Sequence, residues 1–179
     1  MDLDTLPDIL DQPLRLLSIG LNPSLPSVAA GFYFANPRNR FWKALNASAL
    51  VEQPLTPGAA ALRLLCERQG IGFTDLVKRP TRGAAQLRAA DYRAGVDRLQ
   101  RIMEDCGPAL AWFHGKLAYR QFCRYSGIAL SDCDWGLQPL GIAGAQLFVT
   151  PNPSPANAAY SLGDIVAWYN RLARRLAAL

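Results

Sequence analysis

The sequence predicts an α/β fold in which a mainly parallel sheet is covered on both faces by helices. Two observations carry that expectation: four short apolar runs that stop at Gly, Pro or polar residues, and helix-spaced segments lying between them. Parallel neighbours need a crossover rather than a hairpin, and the crossover helix packs back on the sheet.

The first strand is expected at Leu14–Ile19, ending where Gly20 opens a Pro- and Ser-rich loop. The segment "EQPLTPG", Glu52–Gly58, reads as a surface connection, and a second strand follows around Ile71–Val77. In "DYRAGVDRLQRIM", Tyr92, Val96, Leu99 and Met103 recur at intervals of three and four, which puts them on one helix face. Gly107 and Pro108 stop that helix before a third strand at Ala109–Phe113 and a fourth at Gln146–Thr150. The last helix begins at Ser161, whose hydroxyl and the Asp164 carboxylate form a capping box, and Ile165, Tyr169, Leu172 and Leu176 make its buried stripe. In such sheets ligands bind beyond the carboxyl ends of the strands, so the loops after Ile19, Phe113 and Thr150 should converge on the functional site.

Composition narrows the classes. A chain of 179 residues, half of them hydrophobic and 18% charged, suits one packed domain over residues 1–179, with residues 1–12 a loosely ordered N-terminal segment. The apolar runs stop short of the roughly 20 residues that cross a bilayer, and the first residues, "MDLDTLPDIL", are acidic where a signal peptide is basic, so a cytoplasmic protein with no membrane partner is expected. Cys66, Cys106, Cys123 and Cys133 show no paired spacing, which argues for reduced structural thiols and no metal site. A net charge of +5 is compatible with nucleic acid without requiring it.

Three loops carry the chemistry. In "GLNPS", Gly20–Ser24, Asn22 reads either as a turn initiator before Pro23 or as an amide whose carbonyl orients a water. No G-x-G-x-x-G follows that strand, which removes the main support for a dinucleotide site. In "GFYFANPRNRFW", Phe32, Tyr33, Phe34, Phe41 and Trp42 read as core anchors or as a stacking surface for a base, with Arg38 and Arg40 as phosphate contacts. "TPNPSPANAAYS", Thr150–Ser161, repeats the Asn-Pro-Ser theme, so two similar loops at one sheet edge are placed to grip a nucleotide from two sides. The single histidine, His114, reads as a structural hydrogen-bonding residue, a base-edge contact or an acid, and Asp75 as a turn residue or a carboxylate near the pocket.

These segments together resemble the mismatch-specific uracil-DNA glycosylase and thymine-DNA glycosylase family of the uracil-DNA glycosylase superfamily. The likeness runs from about Leu14 to Tyr169 and is carried by "GLNPS", "GFYFANPRNRFWK", "LVKRPT", "GKLAY", "DWGLQPL" and "PNPS" in one order. "NPSPANAAYSL" together with "FYFANPRNRFW" is also similar to the hypoxanthine-DNA glycosylases of the same superfamily. The resemblance implies a three-layer α/β/α sandwich with a central, mainly parallel four-stranded sheet. It implies a monofunctional enzyme of base excision repair that uses no metal or cofactor. Such an enzyme hydrolyses the N-glycosidic bond of a base flipped out of double-stranded DNA, and leaves an abasic site.

Position by position, Asn22 falls where the family places its water-orienting asparagine. Gly20, Leu21, Ser24 and Phe34 fall in the base pocket, with Phe34 stacking on the base, and Asn39, Asp75 and His114 join them as further pocket candidates. Asn152, Pro153, Ser154, Pro155, Ala156 and Asn157 fall in the loop that enters the duplex. Uracil is the expected base, with ethenocytosine and hypoxanthine as alternatives, and the protein is expected to act on DNA as a monomer at the nucleoid.

The pattern also departs from the family. Where the uracil branch carries a bulky wedge and then an Arg, this chain has Ala156 and Ala158, and Ser24 stands where that branch has Gly. A methyl group fills the space of an extruded base poorly. Two other readings therefore stand beside the enzyme: a non-catalytic reader of mismatched or abasic DNA, and a hydrolase of small nucleosides.

Overall fold

The computed structural model describes residues 4–11, 13–130 and 132–179. Five fully or partly apolar strands build the sheet: β1 (Leu16–Gly20), β2 (Ile71–Asp75), β3 (Leu110–His114), β4 (Gly136–Ile142) and β5 (Ala145–Thr150). Their order is β2-β1-β3-β5-β4, with β1, β2, β3 and β5 parallel and β4 antiparallel to β5. The four parallel strands are the four read from the sequence. The central sheet has five strands rather than four, because "GLQPLGI" hides a strand behind Gly136, Pro139 and Gly141. An edge strand tolerates proline where a central one does not, and β4 exposes most of its length.

Residues at alternate positions of each strand face opposite layers. Leu16, Trp112 and Phe148 point into a core closed by α2 (Phe41–Asn46), α3 (Ala59–Gln69) and α6 (Leu162–Ala177). Leu17, Ile19, Ala111, Phe113, Leu147 and Val149 point the other way, against α4 (Ala89–Cys106) and α5 (Lys116–Ser126). The predicted stripes are buried as spaced: Tyr92, Val96, Leu99 and Met103 on α4, and Ile165, Tyr169, Leu172 and Leu176 on α6. Both halves of the Ser161–Asp164 capping box are present. The short α1 (Leu25–Ala30) follows β1 directly, capped by Ser24. No helix among the described residues is long and apolar enough to cross a membrane.

The N-terminal segment, expected to be loose, is tied down from Thr5 to Ile9. Leu6 is buried, Asp8 pairs with Lys78 and Arg98, and Ile9 exchanges two backbone hydrogen bonds of 2.9 Å with Phe73. Leu6, Ile9 and Leu10 are too few apolar residues to register as an element in sequence, yet Ile9 pairs with the middle of β2. Residues 1–3 and 12 of that expectation lie outside the described residues.

Candidate active site

All four parallel strands end at one edge of the sheet, and their last residues are Gly20, Asp75, His114 and Thr150. A cavity of about 470 Å³ opens at that edge. Of the residues singled out in the sequence, Gly20, Leu21, Asn22, Ser24, Phe34, Asn39, Asp75, His114, Asn152, Ser154, Ala156 and Asn157 all line it. Pro153 and Pro155 lie in the same loop but outside the cavity wall.

Asn22 is oriented by its neighbours. Beyond β1 and β2 the two segments stay paired, with Leu76 N–H donating to Gly20 O and Val77 N–H to Leu21 O, which carries Arg79 and Thr81 alongside Asn22. The Asn22 amide nitrogen donates to Arg79 O at 3.0 Å and to Thr81 Oγ1 at 2.8 Å. The Thr81 hydroxyl passes its own proton to Gly83 O at 3.0 Å, so it is available to Asn22 only as an acceptor. Both amide hydrogens are thereby used, and Oδ1 is left without a protein donor among the described residues.

Phe34 holds an unusual backbone, with φ at +60° in the left-handed region that bulky side chains avoid. Its ring stacks on the buried Phe41 ring with centroids 3.9 Å apart and planes 17° from parallel. That stack covers one face, while the half-buried residue still borders the cavity. Strain of this kind costs on the order of 1–3 kcal/mol and persists where the surroundings impose it.

Asp75 is 4% exposed, and its Oδ2 has no hydrogen-bond partner. Burial pushes its carboxyl up to about 7; nearby Lys78 opposes that rise, Asp8 reinforces it and Arg98 opposes it. A Cβ on Gly20 would stand 2.2 Å from Asp75 Oδ1, so glycine at this position leaves room for the Asp75 carboxylate. Behind them Tyr33 is held well above the usual phenol range, first by burial and then by Asp75 and Asp8. Its hydroxyl donates to Pro7 O at 3.1 Å and accepts from Lys78 at 3.3 Å.

His114 is 2% exposed, and burial drives its imidazole down to about 3. Burial thus favours the neutral ring at physiological pH. Its Nε2 lies 2.8 Å from Ser18 Oγ, and its Nδ1 is unpartnered.

Several expected roles are filled by local structure. Ser24 caps α1, accepting from Ser27 N–H at 3.3 Å, and Asn39 Oδ1 accepts from Phe41 N–H at 2.9 Å. Arg40, read as a phosphate contact, is instead a clamp on the second Asn-Pro-Ser loop. Its guanidinium donates to the carbonyls of Pro153, Ser154, Asn157 and Tyr160, which satisfies an irregular segment that has no sheet or helix partner. Within that loop Asn152 Oδ1 accepts from Ser154 N–H at 2.9 Å, and Asn157 donates to Asn152 O at 3.0 Å. Arg38 remains exposed.

Sequence reasoning missed Thr81, Ser18, Leu6 and Leu117. Thr81 and Ser18 hold Asn22 and His114, while Leu6 and Leu117 line the cavity. A serine inside the apolar run "LLSIG" was the available signal for Ser18. Leu117, 46% exposed, is the large apolar side chain that the cavity rim leaves in solvent.

With this geometry in place, the chain matches the family described as Uracil DNA glycosylase superfamily over residues 7–176, and it belongs to that superfamily. That membership supports a DNA glycosylase role with DNA as the partner. Among solved structures it is similar to the solution NMR structure of a Methanosarcina acetivorans protein described as a proposed uracil DNA glycosylase, with a TM-score of 0.63 and 21% identity. The match covers 97% of each chain, and at that identity it speaks for the fold.

Proposed function

We propose that the protein is a monofunctional DNA glycosylase that removes a damaged or mismatched base, uracil first and ethenocytosine or hypoxanthine next, from double-stranded DNA. The observation that carries this reading is Asn22: its amide hydrogens are committed to Arg79 and Thr81, so the open carbonyl oxygen is an acceptor for one water.

The base leaves the stack at a cost of a few kcal/mol, least at a mismatch. Inside the cavity the free face of Phe34 stacks on it, and Asp75 meets its polar edge. While protonated, that carboxyl offers one donor and one acceptor, the complement of an adjacent N–H and carbonyl on uracil or hypoxanthine. As the N-glycosidic bond breaks, its electron pair goes to the base and the sugar takes on oxocarbenium character. Asn22 accepts from the attacking water, whose oxygen ends on the sugar carbon. An amide is too weak a base to take the proton, so chemistry is slow and positioning supplies most of the rate. No metal or cofactor is needed for these steps. The protein works as a monomer in the cytoplasm, on nucleoid DNA.

The Asn152–Asn157 loop enters the duplex, but Ala156 is too small to fill the gap. Leu117, across the same cavity mouth, is the side chain of suitable size and exposure. The reading is tested by incubating protein in excess, with chelator, with end-labelled duplexes carrying uracil, hypoxanthine, ethenocytosine or thymine opposite guanine. Alkali-labile breaks at any of them support it and identify the base. Tight binding without breaks favours the damage reader.

A further inference from the structure

The segment after β2 reaches the rim of the cavity at Arg82. Thr81 N–H donates to Pro23 O at 3.3 Å and Thr81 bridges Ser24 in parallel register, so the chain stays bound to the first loop up to that residue. Thr81 is 6% exposed, while Arg82, the next residue, is open to solvent. The boundary between interior and surface falls between the two.

The backbone under Arg82 is fixed although its side chain is not engaged. Arg82 N–H donates to Gln86 Oε1 at 2.9 Å, Gln86 N–H to Gly83 O at 3.1 Å, and the Thr81 hydroxyl to Gly83 O at 3.0 Å. Arg79 fastens this turn to α4, donating to Gln86 O at 2.6 Å and to both Asp91 carboxylate oxygens at 3.0 and 2.7 Å. The Arg82 guanidinium itself has no hydrogen bond, ion pair or ring contact among the described residues. It is also the one Lys or Arg in the cavity wall among those residues. Other cations close by in the fold are already taken: Arg40 by four backbone carbonyls, Lys78 and Arg98 by Asp8.

A base that enters the cavity brings its sugar and flanking phosphates to the rim, because the nucleotide rotates about its own backbone as it leaves the stack. A phosphodiester there carries a full negative charge, and its oxygens match the fork of a guanidinium. We propose that Arg82 is a phosphate-binding residue that grips the DNA backbone beside the nucleotide whose base occupies the cavity. That the occupant is everted DNA rests on the glycosylase reading above. The contact reads no base edge, so it adds affinity and holds the strand in place without choosing the base.

Fluorescence anisotropy tests this with wild type, Arg82→Gln and Arg82→Lys on duplexes carrying uracil, hypoxanthine or ethenocytosine opposite guanine. Each phosphate neutralised adds about 0.9 to the slope of log affinity against log salt, so the Arg82→Gln slope should be shallower by that amount. Its loss of affinity is then about threefold greater near 50 mM than near 200 mM salt, and equal for every base. Arg82→Lys keeps the charge and recovers the slope. Arg101→Gln, which removes an exposed cation of α4 outside the cavity wall, keeps the wild-type slope. A neutral methylphosphonate at one of the two phosphates flanking the uracil should weaken wild type and leave Arg82→Gln unaffected. An unchanged slope in Arg82→Gln overturns the proposal, as does a loss confined to one base or an equal loss in Arg101→Gln. If Arg82→Gln does not fold, the methylphosphonate duplexes still decide with wild type and Arg82→Lys, and no sensitivity at either phosphate overturns the contact. A protein that shows the slope difference but cleaves no duplex contradicts the glycosylase reading and leaves the phosphate contact standing. Cleavage with an unchanged slope does the reverse.

Discussion

The amide nitrogen of Asn22 lies 2.8 Å from the hydroxyl of Thr81, 59 residues away in sequence, and Thr81 in turn donates to Gly83 O. This pair fixes which end of the Asn22 amide faces the cavity. Thr81→Val keeps the shape but removes one of the two acceptors, so the amide is held by Arg79 O alone and its orientation loosens. Excision should fall by about tenfold, the worth of roughly one hydrogen bond of 1–1.5 kcal/mol, while Thr81→Ser stays near wild type. Rapid-quench single-turnover rates on a uracil duplex check this, and equal rates in both variants would remove the orienting role.

Phe34 lines the cavity, and Phe41 occupies one face of its ring. Phe34→Ala should cost about 1–3 kcal/mol in processing of a flipped base, the range for one base–aromatic stack. The loss should appear on every susceptible base, since stacking is tolerant of base identity. Rates across a panel of duplexes measure it, and a loss confined to one base would instead indicate a polar contact.

Asp75 makes stability depend on pH with a definite sign. The groups around it are Lys78, Asp8 of the N-terminal segment, Arg98 of α4 and Tyr33, and burial outweighs the cations. Its folded carboxyl titrates near 7 against an ordinary 3.8, so its stabilising share is full below the ordinary value and is lost as pH rises through about 7. Asp75→Asn should therefore be more stable than wild type at pH 8, by up to roughly 4 kcal/mol, with little difference at pH 4. Uracil excision by wild type should decline above pH 7, and the asparagine variant should stay flat. Urea unfolding and a pH–rate profile read the two effects, and a wild-type rate that climbs through pH 7 would show that ionised Asp75 is the working form.

Leu117 is 46% exposed and lines the same cavity as Ala156, and on the proposed function it is the side chain that fills the duplex gap. Leu117→Ala should slow excision from duplex DNA by about tenfold, or about 1.4 kcal/mol, within the few kcal/mol that unstacking a base step costs. Single-stranded substrate should be processed as by wild type. An equal loss on both substrates would place Leu117 in the pocket rather than in the duplex.

The sheet was legible in sequence where strands are buried on both faces, since "LLSIG", "LAWFH" and "AQLFVT" are apolar runs with clear stops. β4 was not, because an edge strand carries Pro139 and alternates poorly. The cavity was legible as a place, because in a parallel sheet all strand ends with unusual loops face one edge. The partners of its key groups were not. Thr81 meets Asn22 and Ser18 meets His114 only through strand register, and no local spacing encodes contacts across 59 and 96 residues. Arg40 shows the opposite error: a cation among aromatics suggested phosphate, whereas four backbone carbonyls already occupy it.

The central claim is that Asn22 directs water to a sugar carbon. Its most direct test is the single-turnover rate of abasic-site formation on a uracil–guanine duplex, by wild type and Asn22→Ala, with DNA affinity measured in parallel. The account predicts cleavage by wild type and a loss of about 100-fold or more in the variant at unchanged affinity, the scale of removing one positioned polar group. A variant as fast as wild type, or a wild-type protein that binds the duplex and never cleaves it, would contradict the account.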